Sequence, residues 1–405
     1  MPPDGSRRDK PTAAPIDLLT IDTARRVGGG QVTIERVLRR LDPGAFRVTL
    51  ACPQRSGLAA RFEELPIALL PWIPPSRSPR EGPGDVLASG PSRRLLLAPA
   101  AAIAIARLAL WARGRERLVI HANTFQAGVL GAVLSRLVHR PLVFHDRILK
   151  NHGAIERWVY RSAAAAFAIT RGVSEKWSAE FADKTVLLVD GTDLEHFRPR
   201  GDRSLRERLG IAPETLVLLA ISRISREKGL EVLIEAAGRL GRGVAVIVVG
   251  EPFLAEDRAY QREIEALCQR LGVPARFLGF QSNVVPALEA ADVFVLASHA
   301  EPFGQVVLEA MAMEKPVLVA RSGGPLEFVE DGRTGVFFSP RDAGDLAARL
   351  DALWKDPGRR LALGQEARRV VRERYGLDGT VQGFRAVIRS LAETGRPPVG
   401  DPGGP

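Results

Sequence analysis

The chain has 405 residues, 57 Lys+Arg against 47 Asp+Glu for a net charge of +10, 45% hydrophobic residues, 39 Gly and 29 Pro. That apolar content is enough to bury large cores, which excludes a wholly disordered chain, and at roughly 150 residues per domain the length suits about two domains. The two cysteines, Cys52 and Cys268, match no zinc spacing, which excludes a disulfide scaffold or a Cys-rich metal site and points to a reducing compartment.

Residues 1–15 carry charge but no apolar core, so they read as a disordered tail rather than a secretory signal. Strands are predicted at Ile16–Ile21, Arg47–Ala51, Leu118–His121, Pro141–His145, Ala166–Ile169 and Thr185–Val189. Between the second and third of these, Pro74–Ser92 has the composition of a flexible loop. Leu95–Ala112 follows as an eighteen-residue apolar run interrupted by Pro99 and Arg107. It is too short and too rich in Ala to span a bilayer, and is expected to form a buried or interfacial helix.

Turn formers and charge over residues 190–205 mark a seam, after which strands recur at Leu216–Ile221, Ala245–Val249, Ala275–Leu278, Val293–Leu296, Val317–Ala320 and Gly335–Phe338. Apolar, β-branched strands alternating with helical patterns are the signature of parallel sheets wrapped by helices. The expected fold class is therefore α/β, with two doubly wound, Rossmann-like domains at 16–195 and 196–375 facing across a cleft. A helix at 376–394 is expected to pack back toward the first domain, and 395–405 reads as a second disordered tail.

Charge divides unevenly, with 28 Lys+Arg and 19 Asp+Glu in residues 1–195 against 29 and 28 in residues 196–405. A surplus of this kind favours phosphate-bearing partners or an anionic membrane surface; solvated Arg-rich faces are the plainer alternative. No aromatic-basic sheet motif or DNA-reading module accompanies it, so nucleic acid is not an expected partner.

Two stretches of the second half carry chemistry. After its first strand, ISRISREKG supplies Arg223, Arg226 and Lys228 just before a helix, and free N–H groups at a helix start reinforce such cations into an anion site that suits a diphosphate; taken alone, the spacing fits a solvated charged loop equally well. Further on, EPFGQVVLEAMAM places Glu301 and Glu309 with seven residues between them across a loop-to-helix junction, where two carboxylates can accept hydrogen bonds from vicinal hydroxyls of a sugar or ribose. Glu309 interrupts an otherwise apolar helix face, which a merely solvated residue does not explain.

The ordered set ISRISREKG, VVGEP, FLGFQSNVVPALEAADVFVLAS, EPFGQVVLEAMAMEKPV and SGGPLEFVEDGRTGVFFSP closely resembles the nucleotide-sugar-dependent glycosyltransferases of family 4, which have the GT-B fold. The resemblance is dense over residues 216–340 and looser over 16–200. It implies that Arg223 and Lys228 hold the donor diphosphate and neutralise the leaving group without a metal or other cofactor. It also implies that Glu309 binds the ribose, and that Glu301, with the backbone of Phe303, Gly304 and Gln305, holds the transferred sugar. Val306 N–H would join the phosphate site, Phe280 and Val284 would flank the base, and Gly250 would let the chain approach the donor.

In the first half, RRVGGGQVTIERVLRRL resembles the family's glycine loop, placing Gly29 and Gly30 opposite the donor phosphates. VIHANTFQAG and PLVFHDRILK resemble segments lining the acceptor side. His145 matches the family's acceptor-domain histidine best, His121 second, and Asp146 would orient the imidazole or lie in the acceptor cleft; a satisfied core histidine is the plainer reading of each. His139, His152, His196 and His299 form no metal-ligand grouping.

The resemblance implies a retaining, hexosyltransferase-like enzyme that moves a sugar from a nucleoside diphosphate sugar to a glycan or lipid-linked acceptor hydroxyl in polysaccharide or glycolipid synthesis. It would be cytoplasmic, or peripheral on the inner face of the cell membrane. A catalytically inactive nucleotide-sugar-binding scaffold or sensor is the alternative.

Overall fold

Every strand pairing among the described residues is parallel, and this dictates where the polar groups can gather. The structure is a computed structural model that describes residues 14–24, 27–53, 57–63, 68–73, 91–241 and 243–398. The first sheet has seven strands, β1 (Ile16–Ile21), β2 (Phe46–Pro53), β3 (Ala68–Ile73), β4 (Leu118–Ala122), β5 (Leu142–Asp146), β6 (Ala165–Ala168) and β7 (Thr185–Leu187), in the order β3-β2-β1-β4-β5-β6-β7. The second has six, β8 (Leu216–Ile221), β9 (Val244–Val249), β10 (Ala275–Phe277), β11 (Val293–Leu296), β12 (Val317–Ala320) and β13 (Val336–Phe338), in the order β10-β9-β8-β11-β12-β13. In each sheet the chain reverses its direction of travel between the first strand and its later neighbour, β1 beside β4 and β8 beside β11. Ligands of such sheets bind beyond the carboxyl ends of the strands at that switch point.

All twelve strands predicted from the sequence are present, four with the predicted bounds and the others with ends shifted by one or two residues. β3 was not anticipated, because its segment, ALLPWI, contains Pro71 and is flanked by prolines. Its position at the sheet edge resolves the conflict, since an edge strand tolerates a missing N–H. Of the expected loop at 74–92, residues 74–90 lie outside the described residues, and Pro91 opens the helix Pro91–Ala112. Residues 1–13 and 399–405 of the expected tails also lie outside them. Among the described residues, no helix is long and apolar enough to cross a membrane.

The chain crosses between the halves twice, and the two crossings are bonded together. Thr192 N donates to Tyr375 O at 2.8 Å, Leu377 N to Thr192 O at 3.0 Å, and Gly191 N to Thr380 Oγ1 at 2.8 Å. Beyond the second crossing, the helix Leu377–Thr394 returns to the first sheet. Its Leu377, Val381, Phe384, Val387, Ile388 and Leu391 share one core cluster with Leu18, Val119, Val143 and Phe167. Phe384 is fully buried, edge-on to His121 at 5.1 Å and 5.6 Å from the Phe167 ring. Phe384→Ala should therefore destabilise the protein by about 3–5 kcal/mol, read as a fall in the denaturant midpoint at unchanged slope.

Candidate active site

The second-domain wall is made by two loops forced into contact. Gly229 holds φ +61° and a Cβ there would lie 2.4 Å from the Ala297 carbonyl oxygen, so only glycine lets the loop after β8 rest on the end of β11. His299 N donates to Glu227 O at 2.9 Å and locks the same pair of loops. As a result Lys228 Nζ donates to Glu301 Oε2 at 2.8 Å, with both side chains largely buried. Arg223 lies on the same loop, paired with Glu227 at 2.9 Å. Gly250, at φ +134°, packs against the Ser222 carbonyl, so its close approach is to the neighbouring strand end that carries Arg223.

Gly304 caps the helix Gln305–Ala312, which puts Gln305 and Val306 in its first turn. Phe303 turns its ring into the core, 5.4 Å from Phe328, which leaves its backbone as the part free to meet a ligand. Glu309 sits in the second turn, 5% exposed, and accepts a hydrogen bond from Arg36 of the first domain at 3.0 Å. Burial pushes its carboxyl upward and the Arg36 guanidinium opposes that shift. Phe280 is half exposed, whereas Val284 packs partly against the core.

The first domain supplies the opposite wall. A Cβ on Gly29 would lie 3.8 Å from Gln305 Cβ, so the glycine loop and the second-domain helix start face each other directly. Gln305 also crosses the cleft through Nε2, which donates to Gly191 O and Thr192 Oγ1 at 3.2 Å each. Beneath the loop lies a buried polar cluster drawn from successive strand ends. Asp22 accepts from Asn123 Nδ2 at 2.6 Å, from Gln31 Nε2 at 3.1 Å and from Ala24 N at 2.7 Å. Arg147 donates Nε to Asn123 Oδ1 at 3.1 Å, pairs with Asp190, and places Nη2 3.3 Å from His145 Nδ1. Gly30 lies against this arginine, since a Cβ there would come within 2.8 Å of Arg147 Cδ.

His145 is 2% exposed and lies 3.3 Å, through Nδ1, from His121 Nε2, with both rings near Phe167. Burial, with Arg147 adding to it, pushes His121 down to about 3 and His145 well below the usual imidazole range, so both are neutral at pH 7. The residue at this strand end that reaches the glycine loop is Arg147 rather than His145. Asp146 does not orient the imidazole as expected: side chains alternate along β5, which sends it to the opposite face, bonded to Tyr160 Oη and Lys176 Nζ at 2.7 Å each.

The structure thus gathers Gly29, Gly30, Gln305, Glu309, Lys228 and Glu301 around one cleft and removes His121, His145 and Asp146 into the first-domain interior. Asp22, Asn123, Arg147, Asp190 and Arg36 were missed from sequence. The first three follow a strand directly, so a polar residue one step past an apolar strand was the available signal. Among the described residues no cluster of three or more His, Cys, Asp or Glu suits a metal ion.

The family model for glycosyl transferases group 1 matches residues 202–370. D-inositol 3-phosphate glycosyltransferase 1 of Catenulispora acidiphila is 32% identical over 316 residues, covering 69% of this chain and 73% of that protein. The chain belongs to the glycosyl transferases group 1 family. D-inositol 3-phosphate glycosyltransferase 2 of the same organism is 36% identical over 188 residues, 44% of each chain. The chain spans about half the length of the first curated relatives it matches. Anabaena Alr3699/HepE, solved in complex with UDP-glucose, shares the GT-B fold with a TM-score of 0.79 at 24% identity, over 93% of this chain and 100% of that one. In this group 1 member the cleft between the two strand edges is where the two Rossmann-like halves meet.

A titratable carboxyl lies behind the first-domain wall, on the far face of β5. Burial pushes the Asp146 carboxyl up to about 6, with Lys176 opposing and Glu156 adding to the shift. The folded state then binds a proton that the unfolded chain releases near 4, so this group's contribution to stability falls as pH rises from about 4 to about 6 and is level above. The stability of Asp146→Asn relative to wild type should rise across that interval and nowhere else, checked by denaturant unfolding at a series of pH values.

Proposed function

We propose that the chain is a retaining, family 4 hexosyltransferase that moves a sugar from a nucleoside diphosphate sugar to an acceptor hydroxyl. The observation that carries this reading is the Lys228–Glu301 pair at 2.8 Å beside Arg223 and the start of the helix Gln305–Ala312, with the glycine loop directly opposite. A cation, a carboxylate and free helix N–H groups in one half-buried spot suit a ligand that joins a diphosphate to a polyhydroxyl ring. The solved complexes of Anabaena Alr3699/HepE with UDP and UDP-glucose support a donor of this type.

As the bond from the anomeric carbon to the diphosphate oxygen breaks, negative charge grows on the leaving group. Arg223, Lys228 and the helix-start N–H groups stabilise that charge more in the transition state than in the bound donor. The acceptor oxygen attacks from the same face, and its proton passes to the departing phosphate. Glu301 accepts sugar hydroxyls, Glu309 those of the ribose, and no metal or cofactor takes part. The acceptor is a lipid-linked or glycan precursor of a cell-surface polysaccharide or glycolipid, met at the inner face of the membrane by a peripheral enzyme. The group 1 membership and the basic first half support this assignment.

Nucleotide release from a panel of nucleotide sugars tests the reading. Wild type should release nucleotide from one of them, and Lys228→Ala should lower kcat by about a hundred- to thousandfold while still unfolding in a single cooperative transition. Full turnover in Lys228→Ala would sink the assignment, and no release by wild type from any donor would favour the nucleotide-sugar-binding scaffold instead. In the same assay Glu301→Ala should discriminate less between donors differing in one sugar hydroxyl, since the carboxylate that reads them is gone.

A further inference from the structure

The helix Pro91–Ala112 buries Ala104, Leu108 and Ala112 against the first-domain core. On its opposite side Ile103, Ala106, Arg107 and Leu110 are exposed, spaced i, i+3, i+4, i+7, so they form one outward stripe. Ile103 is 59% and Leu110 58% exposed, where an ordinary surface helix carries polar side chains. The helix Phe125–Val138 packs beside it and adds Leu137, 59% exposed, and an exposed Arg136.

The charge on these two helices has one sign. Over their 36 residues the sequence holds Arg93, Arg94, Arg107 and Arg136 and no Asp or Glu. The first acid beyond the longer helix, Glu116, lies among Arg113, Arg115 and Arg117. A second copy of this chain would bring the same positive charge to the contact, whereas an anionic bilayer supplies both the opposite charge and an apolar layer for the stripe. The helix lacks the apolar length to cross, so it lies in the interface plane.

We infer that the outward stripe Ile103–Ala106–Arg107–Leu110, with Leu137 of the neighbouring helix, is the face by which this protein docks on an anionic lipid surface. The inference rests on the proposed function only for its purpose, which is to bring the first domain to a membrane-borne acceptor; the face itself rests on exposure and charge. Aliphatic side chains enter the headgroup boundary while the exposed Arg107 and Arg136 pair with lipid phosphates. None of these residues belongs to the cleft.

Sedimentation of the full chain with phosphatidylglycerol/phosphatidylcholine vesicles tests this. Wild type should sediment with them at low salt, be released as salt rises, and remain in solution with phosphatidylcholine alone. The double variant Ile103→Glu/Leu110→Glu should reduce the vesicle partition coefficient at least about tenfold while its melting temperature and nucleotide release match wild type. Ala106→Glu, on the same stripe, serves if the double variant fails to fold. Absence of wild-type binding to the anionic vesicles, or undiminished binding by the variant, overturns the inference. So does a concentration-dependent dimer that the double variant abolishes, if vesicle binding is absent. Wild type that binds vesicles in this pattern but turns over no donor would defeat the enzymatic reading and leave the docking face standing.

Discussion

The cleft depends on two carboxyl-terminal strand edges held face to face by polar contacts that run from the buried seam to its exposed rim. Gln305 reaches Gly191 and Thr192, Arg36 reaches Glu309, and the Glu327 carboxylate accepts the N–H groups of Arg171 and Gly172 at 2.8 and 3.0 Å. Apolar burial contributes beside them, because Ala168, Ile169 and Val173 of the first half join the core cluster of the second. The ionic contacts at the cleft do a different job. The desolvation of a buried pair largely offsets its attraction, so Arg36–Glu309 fixes the relative placement of the walls while adding little net stability. A carboxylate held by one guanidinium keeps lone pairs for further donors.

Each wall is rigid for its own reason. In the second domain the loops after β8 and β11 touch through Gly229, and a larger side chain there would drive Lys228 away from Glu301. In the first domain a polar network does the equivalent work: Arg147 bridges Asn123, Asp190 and His145 and supports the glycine loop from below. The single guanidinium, with its planar fork of donors, serves three strand ends at once, while Asp190 Oδ1 and His145 Nε2 find no partner among the described residues. The neutral histidines beneath it avoid placing a further buried cation beside Arg147.

What was legible in the sequence follows from which signals are local. Twelve strands were visible because buried parallel strands are continuous β-branched runs. β3 was hidden because its prolines read as turn residues until its edge position is known. The glycine loop, Lys228, Glu301 and Glu309 were found through ordered spacing, and the structure brings them together. Asp146 follows His145 in sequence, yet alternation along β5 sends the two side chains to opposite sides. The Arg36–Glu309 pair was beyond sequence reading: its partners lie 273 residues apart and meet only when both domains have folded.

The charge distribution also changes meaning once the cleft is built. The second half, proposed to hold a diphosphate, is almost neutral, because a few cations fixed in a half-buried site act locally and need no large net charge. The first half carries nearly the whole surplus, yet the cations it brings to the cleft are matched: Arg147 by Asp190 and Arg36 by Glu309. Exposed arginines among the described residues, such as Arg107 and Arg136, act over about a Debye length on whatever approaches. A charge that serves neither the core nor the site has its effect at the molecule's exterior, and on the acid-free helices Pro91–Ala112 and Phe125–Val138 it coincides with exposed aliphatic side chains.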